Sequence, residues 1–293
     1  MGQFKYCELE NRELLKIGGG EAESFLQGIL TCNLDTISPN GAGFGGLLTP
    51  QGKILFDFFV VRDNGDFILD VDARQIDELV RRLTFYRLRA DVTFDVGNGE
   101  TTVFACWNVD TQMPEVRERV TTITIADPRH DEMGYRIYSK TSPVGMKREN
   151  IEQYNAHRIE LGIPEGGVDY LYGSAFPHEA LYDEIGGVDF SKGCYVGQEV
   201  VSRMHHRGTA RKRFIQISSE STIPEPGSKI TISEKSVGEV TSAAGHNGLA
   251  LVRLDHVGRA IHNNQEIHIG DIIVTLHIQP WVNFDWPGGR EAI

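Results

Sequence analysis

From Arg211 onward the chain becomes a series of short apolar runs, at 214–218, 229–233, 238–243, 249–254, 266–269 and 272–278, with no helical stretch between them. Runs this short and this closely spaced cannot build an open parallel sheet, which needs a crossover of a dozen residues or more between strands. They predict a small β-barrel or sandwich. The residues before this point follow another rule. Ala22, Phe25, Leu26, Ile29 and Leu30 recur at the three-and-four spacing of one helix face, as do Ile76, Leu79, Val80 and Leu83. Between these helices an apolar run at 53–62 turns at Asp63-Asn64-Gly65-Asp66 into a second run at 67–72. Asn-Gly is the pair that accepts the positive φ of a tight hairpin. Val92, Phe94 and Val96 alternate as in a half-buried strand. Further strands are expected around 101–107, 120–126 and 135–138. A linker at 140–148 precedes a helix over about 149–161 that Gly162 and Pro164 stop. Residues 162–192 are loop-rich, and a helix is expected over about 195–206. Mixed elements followed by strands alone read as α+β in separate modules.

At 293 residues the chain has room for two or three domains. Its 41 acidic residues outnumber 29 basic ones, for a net charge of −12. That balance argues against a general nucleic-acid coat, which needs surplus Lys and Arg to neutralise phosphates. The opening MGQFKYCELENREL lacks the basic-then-apolar order of a signal peptide. The most apolar run, 54–61, is interrupted by Asp57 and falls far short of the ~20 residues of a membrane span. The four cysteines, Cys7, Cys32, Cys106 and Cys194, form no CxxC pair. This usage fits a reduced compartment, cytosolic or matrix, and the cytoplasm is the expected location.

The glycine-rich stretch 41–46 formally matches GxGxxG, but Ser38-Pro39-Asn40 precedes it and Thr49-Pro50-Gln51-Gly52 follows it. Without a strand before and a helix after, it reads as a flexible turn rather than a phosphate cradle. No HExxH exists, and adjacent His205 and His206 point about 100° apart on a helix, so no metal site is expected. The densest chemistry is Ser191-Lys192-Gly193-Cys194-Tyr195-Val196-Gly197-Gln198-Glu199. A loop that delivers Cys194 to a helix start, with Lys192 two residues earlier, favours the thiolate. A buried, inert cysteine at a helix cap is the plainer alternative. Gly193 and Gly197 permit close backbone approach. Next comes a segment from Arg203 to Arg213 with five Lys or Arg residues and no acid. It suits an anion or a solvated hinge, with Arg203 and Arg207 as the anion-binding candidates. Asp57 within its apolar run is either a hydrogen-bonded structural carboxylate or one kept at a cleft. Glu160 and Arg158, near the end of the 149–161 helix, carry little signal by spacing alone.

Lys192-Gly-Cys-Tyr-Val-Gly-Gln-Glu199 resembles the KGCYxGQE signature of the YgfZ family, folate-binding, aminomethyltransferase-like proteins linked to iron–sulfur protein maturation. Phe25-Leu-Gln-Gly-Ile-Leu-Thr31, Leu48-Thr-Pro-Gln-Gly-Lys-Ile-Leu55 with Asp57, Arg158-Ile-Glu-Leu-Gly162 and Gly248-Leu-Ala-Leu-Val-Arg253 follow in the family's order, so the resemblance spans nearly the whole chain. It implies the fold of the glycine-cleavage T-protein, antiparallel sheets and helices around a tetrahydrofolate cavity, plus a C-terminal small β-barrel. The implied domains are 1–46 with 141–208 as a folate-binding α+β domain, 47–140 as a second α+β domain, and 209–293 as the barrel. Glu160 maps onto a pterin-pairing glutamate, with Asp57 and Arg158 as further folate-binding candidates and tetrahydrofolate or a one-carbon derivative as cofactor. Cys194 replaces an acid of the T-protein segment, and Phe56-Asp57 stands where the T-protein has paired aspartates. The resemblance therefore implies a folate-binding accessory factor for iron–sulfur cluster assembly or repair. Cys194 would be its reactive thiol, with Lys192, Gly193, Tyr195, Gly197, Gln198 and Glu199 shaping the site. Its partners would be iron–sulfur assembly proteins or client enzymes, met transiently, with neither membrane nor nucleic acid. The alternative is a folate-dependent aminomethyltransferase or other one-carbon transferase.

Overall fold

A computed structural model describes residues 4–97, 99–107, 122–208 and 210–287. The chain packs as two compact units, Met1–Tyr154 with Ile185–Gln198, and Asn155–Glu184 with Glu199–Ile293.

The first unit holds β1 (Lys5–Glu8), β2 (Arg12–Gly18), α1 (Ala22–Gln27), β3 (Ala42–Leu48), β4 (Ile54–Asp63), β5 (Asp66–Asp72), α2 (Ile76–Arg87), β6 (Thr93–Val96), β7 (Thr102–Trp107), β8 (Ile123–Ala126), β9 (Tyr135–Ser139) and β10 (Lys147–Arg148). One antiparallel sheet runs β3-β4-β5-β2-β6 and another runs β10-β1-β7-β9-β8, in which only β1 and β10 pair in parallel. The β4–β5 hairpin turns at Asn64 and Gly65, both at positive φ, as the sequence predicts. Leu15, Ile17, Phe56, Phe58, Val60 and Leu69 meet Leu26, Leu30, Leu79 and Leu83 in the main core. The α2 spacing thus turns its stripe to the core, while α1 is shorter than its spacing predicts and ends at Gln27, with Ile29 and Leu30 buried just beyond it. Residues 120 and 121 of the expected 120–126 strand lie outside the described residues.

The glycine-rich stretch is not a flexible turn. It is β3, paired with β4 from Ala42 against Val61 to Leu48 against Ile54. Its glycines let a neighbouring segment lie directly on the strand: a Cβ at Gly45 would stand 2.6 Å from Cys32 Sγ, and one at Gly43 would stand 2.8 Å from Ile37 Cδ1.

In the second unit a seven-stranded antiparallel sheet runs in the order β16-β15-β12-β13-β14-β11-β17. Its strands are β11 (Lys212–Ser218), β12 (Lys229–Ile232), β13 (Lys235–Ala244), β14 (Asn247–Arg253), β15 (His268–Ile269), β16 (Ile272–Ile273) and β17 (Thr275–His277). Register shifts in β12–β13 and between Val240 and Ser242 of β13 supply the bends that curl so short a sheet toward closure. The core is Ile215, Ile217, Ile230, Val240, Ala250 and Val252. One expectation fails: a helix does interrupt the strands. Leu254, Val257 and Ala260 bury one face of Leu254–His262 against the barrel core.

The chain passes between the units in the helix Ile151–Leu161, after Glu184, and at the start of the helix Gln198–Arg207. In order these three helices are α3 (Ile151–Leu161), α4 (Gln198–Arg207) and α5 (Leu254–His262). No helix among the described residues is long and apolar enough to cross a membrane.

Candidate functional site

The 191–199 segment is a loop of the first unit that flows into α4, and its shape is set by its moorings. Asp189 opens it: Oδ1 accepts from the Ser191 amide and hydroxyl, both at 2.6 Å, and from the Lys192 amide at 3.1 Å. This is the turn a short Asp side chain makes with the backbone two residues on. Burial works to raise the Asp189 carboxyl, and the hydrogen bonds from Ser191, Asn33 and the Lys192 amide together outweigh it, holding the group below its ordinary value. Buried Thr31 ties the loop to β3. Its hydroxyl donates to Gly187 O at 2.6 Å and accepts from Gly46 N at 2.8 Å, while its carbonyl accepts from Asp189 N at 3.0 Å.

Lys192 turns inward. Its Nζ donates to Leu30 O at 2.7 Å and Cys32 O at 2.6 Å, and lies 5.6 Å from the centre of the Tyr195 ring. Burial pulls the Lys192 pKa below its ordinary value, with Cys32 and Asp189 opposing. Tyr195 also points inward: it is 6% exposed, its hydroxyl has no hydrogen-bond partner among the described residues, and burial raises it to about 12. Gly193 and Cys194 lie exposed between these two anchors, and a Cβ on Gly193 would meet nothing within 4 Å. Gly197 closes the loop at φ +81, where a Cβ would stand 2.5 Å from Thr49 O. Only glycine fits that conformation and that approach.

Two details of the sequence expectation change. The helix begins at Gln198, whose amide bonds Tyr195 O at 3.3 Å, so Cys194 sits on the loop before it and not at its start. The thiol eased by the Lys192 charge is Cys32, which burial nevertheless raises to about 11. Cys194 is instead distinguished by access. None of the four cysteines is in a disulfide, and Cys7, Cys32 and Cys106 are buried while Cys194 is exposed.

Asp57 is buried on β4 opposite Gly46, the residue that grips Thr31. It shares a strand face with Phe59, over which the guanidinium carbons of Arg136 and Arg129 lie at 4.3 and 5.0 Å. The charge centre of that unit is Asp70, opposite Phe59 on β5. It accepts from Arg12 Nε at 2.5 Å, Tyr138 Oη at 3.1 Å and Arg136 at 3.3 Å. Sequence reasoning did not single out Thr31, Asp70 or Asp189. For Asp189 the Asp-x-Ser spacing was an available turn signal; Asp70 meets Arg136 across 66 positions, and no local pattern announces that.

In the second unit, Arg158 is 1% exposed and fully engaged. It donates to Asp169 Oδ2 at 2.6 Å, Asn155 Oδ1 at 3.0 Å, Ser242 Oγ at 3.1 Å and Ile163 O at 3.2 Å. Asp169 also accepts from Thr241 Oγ1 at 2.8 Å, so this pair fastens α3 to β13. Glu160 is exposed at the end of α3, on a groove of about 280 Å³ lined also by Gln216, Ser218, Asn247 and His277. Its carboxylate makes no hydrogen bond or ion pair among the described residues. In chemistry it fits an aminopyrimidine edge, which offers two donors to one carboxylate. The groove itself is below the ~300–1,000 Å³ of sites that enclose a small molecule. Arg158, with its donors committed, fits a structural role and not a ligand.

Arg203 and Arg207 are exposed on α4. Arg213, in the same basic segment, is buried in a two-pronged bond to Asp183 at 2.8 and 2.7 Å, with Phe284 beneath it. Thr209, within this segment, lies outside the described residues. His178, 2% exposed and 6.0 Å from the His205 ring, is lowered by burial to about 4. Among the described residues no group of three or more His, Cys, Asp or Glu is placed to hold a metal ion.

The solved structure of glycine cleavage system aminomethyltransferase T from Bartonella henselae matches 96% of this chain and 87% of its own, with a TM-score of 0.74 at 14% identity. The family model for the CAF17 C-terminal β-barrel domain matches residues 211–284. Together they define a T-protein-like fold with a CAF17-type C-terminal barrel. Three curated relatives carry the identification further, each named an iron–sulfur cluster assembly factor IBA57 or its homologue, mitochondrial. The one from Coccidioides immitis is 31% identical over 94% of this chain and 83% of its own. The mouse protein is 30% identical over 95% and 84%, and the human protein 31% over 87% and 79%. The chain belongs to the IBA57 family of iron–sulfur cluster assembly factors. These names correct the expected cytoplasmic location, since the relatives are mitochondrial. Sparse cysteines without a CxxC pair fit any reduced compartment equally and could not separate the two.

Proposed function

We propose that this chain is a mitochondrial iron–sulfur cluster assembly factor of the YgfZ type that offers Cys194 to partner proteins, as a transient cluster ligand or nucleophile. The observation that carries this reading is the presentation of Cys194: the one exposed cysteine of four, at the tip of a loop fastened on both sides by Lys192 and Gly197. One thiolate cannot hold a cluster, whose irons need about four protein ligands, so the remaining ligands come from an assembly protein or client enzyme. The rigid moorings keep the loop shaped for that encounter before the partner arrives.

Tetrahydrofolate, or a one-carbon derivative, is the small molecule of this reading, with Glu160 as the carboxylate at its pterin edge. Bound, it supplies a reduced carrier of one-carbon units. The exposed basic residues Arg203 and Arg207 suit anionic groups near the end of α4.

The test is replacement of the chromosomal copy by wild type, Cys194→Ala or Glu160→Ala, read as activity of cluster-dependent enzymes, together with calorimetric titration of tetrahydrofolate. Expected are loss of cluster-enzyme activity in Cys194→Ala with folate affinity retained, and loss of folate affinity in Glu160→Ala. Full activity in Cys194→Ala, with folate-dependent turnover that requires Asp57, would sink this reading in favour of an aminomethyltransferase.

A further inference from the structure

The cations of this acidic chain are mostly answered by its own carboxylates. Arg136, Arg158 and Arg213 are buried in ion pairs, and the surface residues Arg62, Arg74 and Arg253 face Glu23, Asp72 and Asp255 at 2.6, 2.5 and 2.9 Å. Elsewhere among the described residues, Arg89 and Lys235 are exposed cations with neither an ion pair nor a side-chain hydrogen bond, and no second such cation lies within three positions of either. The stretch 203–212 departs from this. Arg203, Arg207, Arg211 and Lys212 are all exposed, and among the described residues none of their side chains makes an ion pair or hydrogen bond. Glu199, one turn before Arg203 on α4, makes none with it either. Arg203 and Arg207 share a helix face, an arrangement of like charges that weakens a helix and that a bound counter-charge relieves.

We propose that these four cations form a docking surface for a carboxylate-rich segment of a protein partner. The inference rests on the reading of Cys194 as the thiol offered to that partner, and it names what recruits the partner. Charge complementarity selects the occupant. Three of the four cations are arginines, whose planar fork matches a carboxylate with two parallel hydrogen bonds. The tail of a monoglutamyl folate carries two carboxylates and leaves much of the charge unanswered. A nucleic acid carries charge along its whole length, and beyond this short stretch it meets a protein of net charge −12. An acidic protein segment is local, as the basic stretch is.

The test uses the full chain and a fluorescently labelled peptide of about a dozen residues alternating Glu and Ala, read by anisotropy at low and high salt, where screening differs most. Wild type binds the peptide at low salt and releases it at high salt. The double variant Arg203→Gln/Arg207→Gln binds about tenfold or more weakly, with an unchanged melting curve because both side chains are exposed. Lys235→Glu, an isolated charge reversal on the same unit, binds as wild type. Equal binding by the double variant, or tighter binding of a single-stranded DNA of similar length, overturns the proposal. Peptide binding is read apart from cluster-enzyme activity. If Cys194→Ala leaves that activity intact, the thiol reading fails while this result stands; if Cys194→Ala abolishes it but the double variant binds peptide normally, the docking surface alone fails.

Discussion

A lysine is retained in an interior only where its ammonium finds acceptors, and Lys192 finds two backbone carbonyls of a segment some 160 positions away. The ammonium in turn satisfies carbonyls that would otherwise be buried unpaired. Lys192→Met keeps the stem and removes the donor. It is expected to cost about 1–3 kcal/mol in urea unfolding and to loosen the Cys194 loop, seen as faster hydrogen exchange at 190–197. Unchanged exchange there would mean that Asp189 and Thr31 suffice. His178 makes a second prediction. Its folded pKa, about 4, lies below the ordinary 6.5, so between those values the unfolded chain binds a proton that the folded chain refuses. Stability therefore falls as pH drops from 6.5 toward 4, by up to about 3 kcal/mol, and gains nothing from His178 above 6.5. Urea midpoints at pH 7.5 and 5 should differ more in wild type than in His178→Gln; equal differences would remove His178 as the cause. The motif around Cys194 was legible in the sequence because its residue types are unusual together. The direction in which Lys192 points was not, because its acceptors belong to a distant segment.

At the scale of elements, what the sequence disclosed depended on whether an element buries a periodic stripe. The β4–β5 hairpin and α2 do, and both were legible. In β3 glycines remove the alternation that marks a strand, and the stretch passed for a turn, although its pairing with β4 is continuous. The glycines are there for what crosses them. Gly45→Ala would bring its Cβ to 2.6 Å from Cys32 Sγ and 3.2 Å from Cys32 N. The segment carrying Thr31 and Cys32, which holds the Cys194 loop, would have to lift. The expected cost is about 1–3 kcal/mol, with Cys32 becoming reactive to a thiol reagent that in wild type labels Cys194 alone. Labelling of Cys194 alone in the variant would show that the crossing relaxes without opening. In α5, Leu254, Val257 and Ala260 do form a helical stripe, but it follows directly on the apolar run of β14 and was absorbed into the strand pattern.

Across the whole molecule, the barrel's start was legible because the pattern changes where the fold does, near Arg211. The division into two units was not, since residues 162–184 and 185–192, which belong to different units, share one loop-rich stretch. Each unit is instead organised around a buried Asp–Arg arrangement. Asp70 joins Arg12 of β2 to Arg136 of β9 in the first, and Asp169 joins Arg158 of α3 to Thr241 of β13 in the second. Removing one partner of a buried pair leaves the other's charge uncompensated, at a cost of about 3–5 kcal/mol, more than the pair contributes over an apolar replacement. Asp70→Asn leaves two nearly buried guanidiniums without their carboxylate, and Asp169→Asn leaves one. Chains with more than one compact unit need not unfold in a single step, so these variants report on cooperativity as well as stability. In scanning calorimetry Asp70→Asn should lower the transition of the first unit and Asp169→Asn that of the second, each leaving the other near its wild-type midpoint. A single transition that either variant lowers by the same amount would instead mean that the units melt as one, and that the moorings of the Cys194 loop draw on the stability of the entire chain.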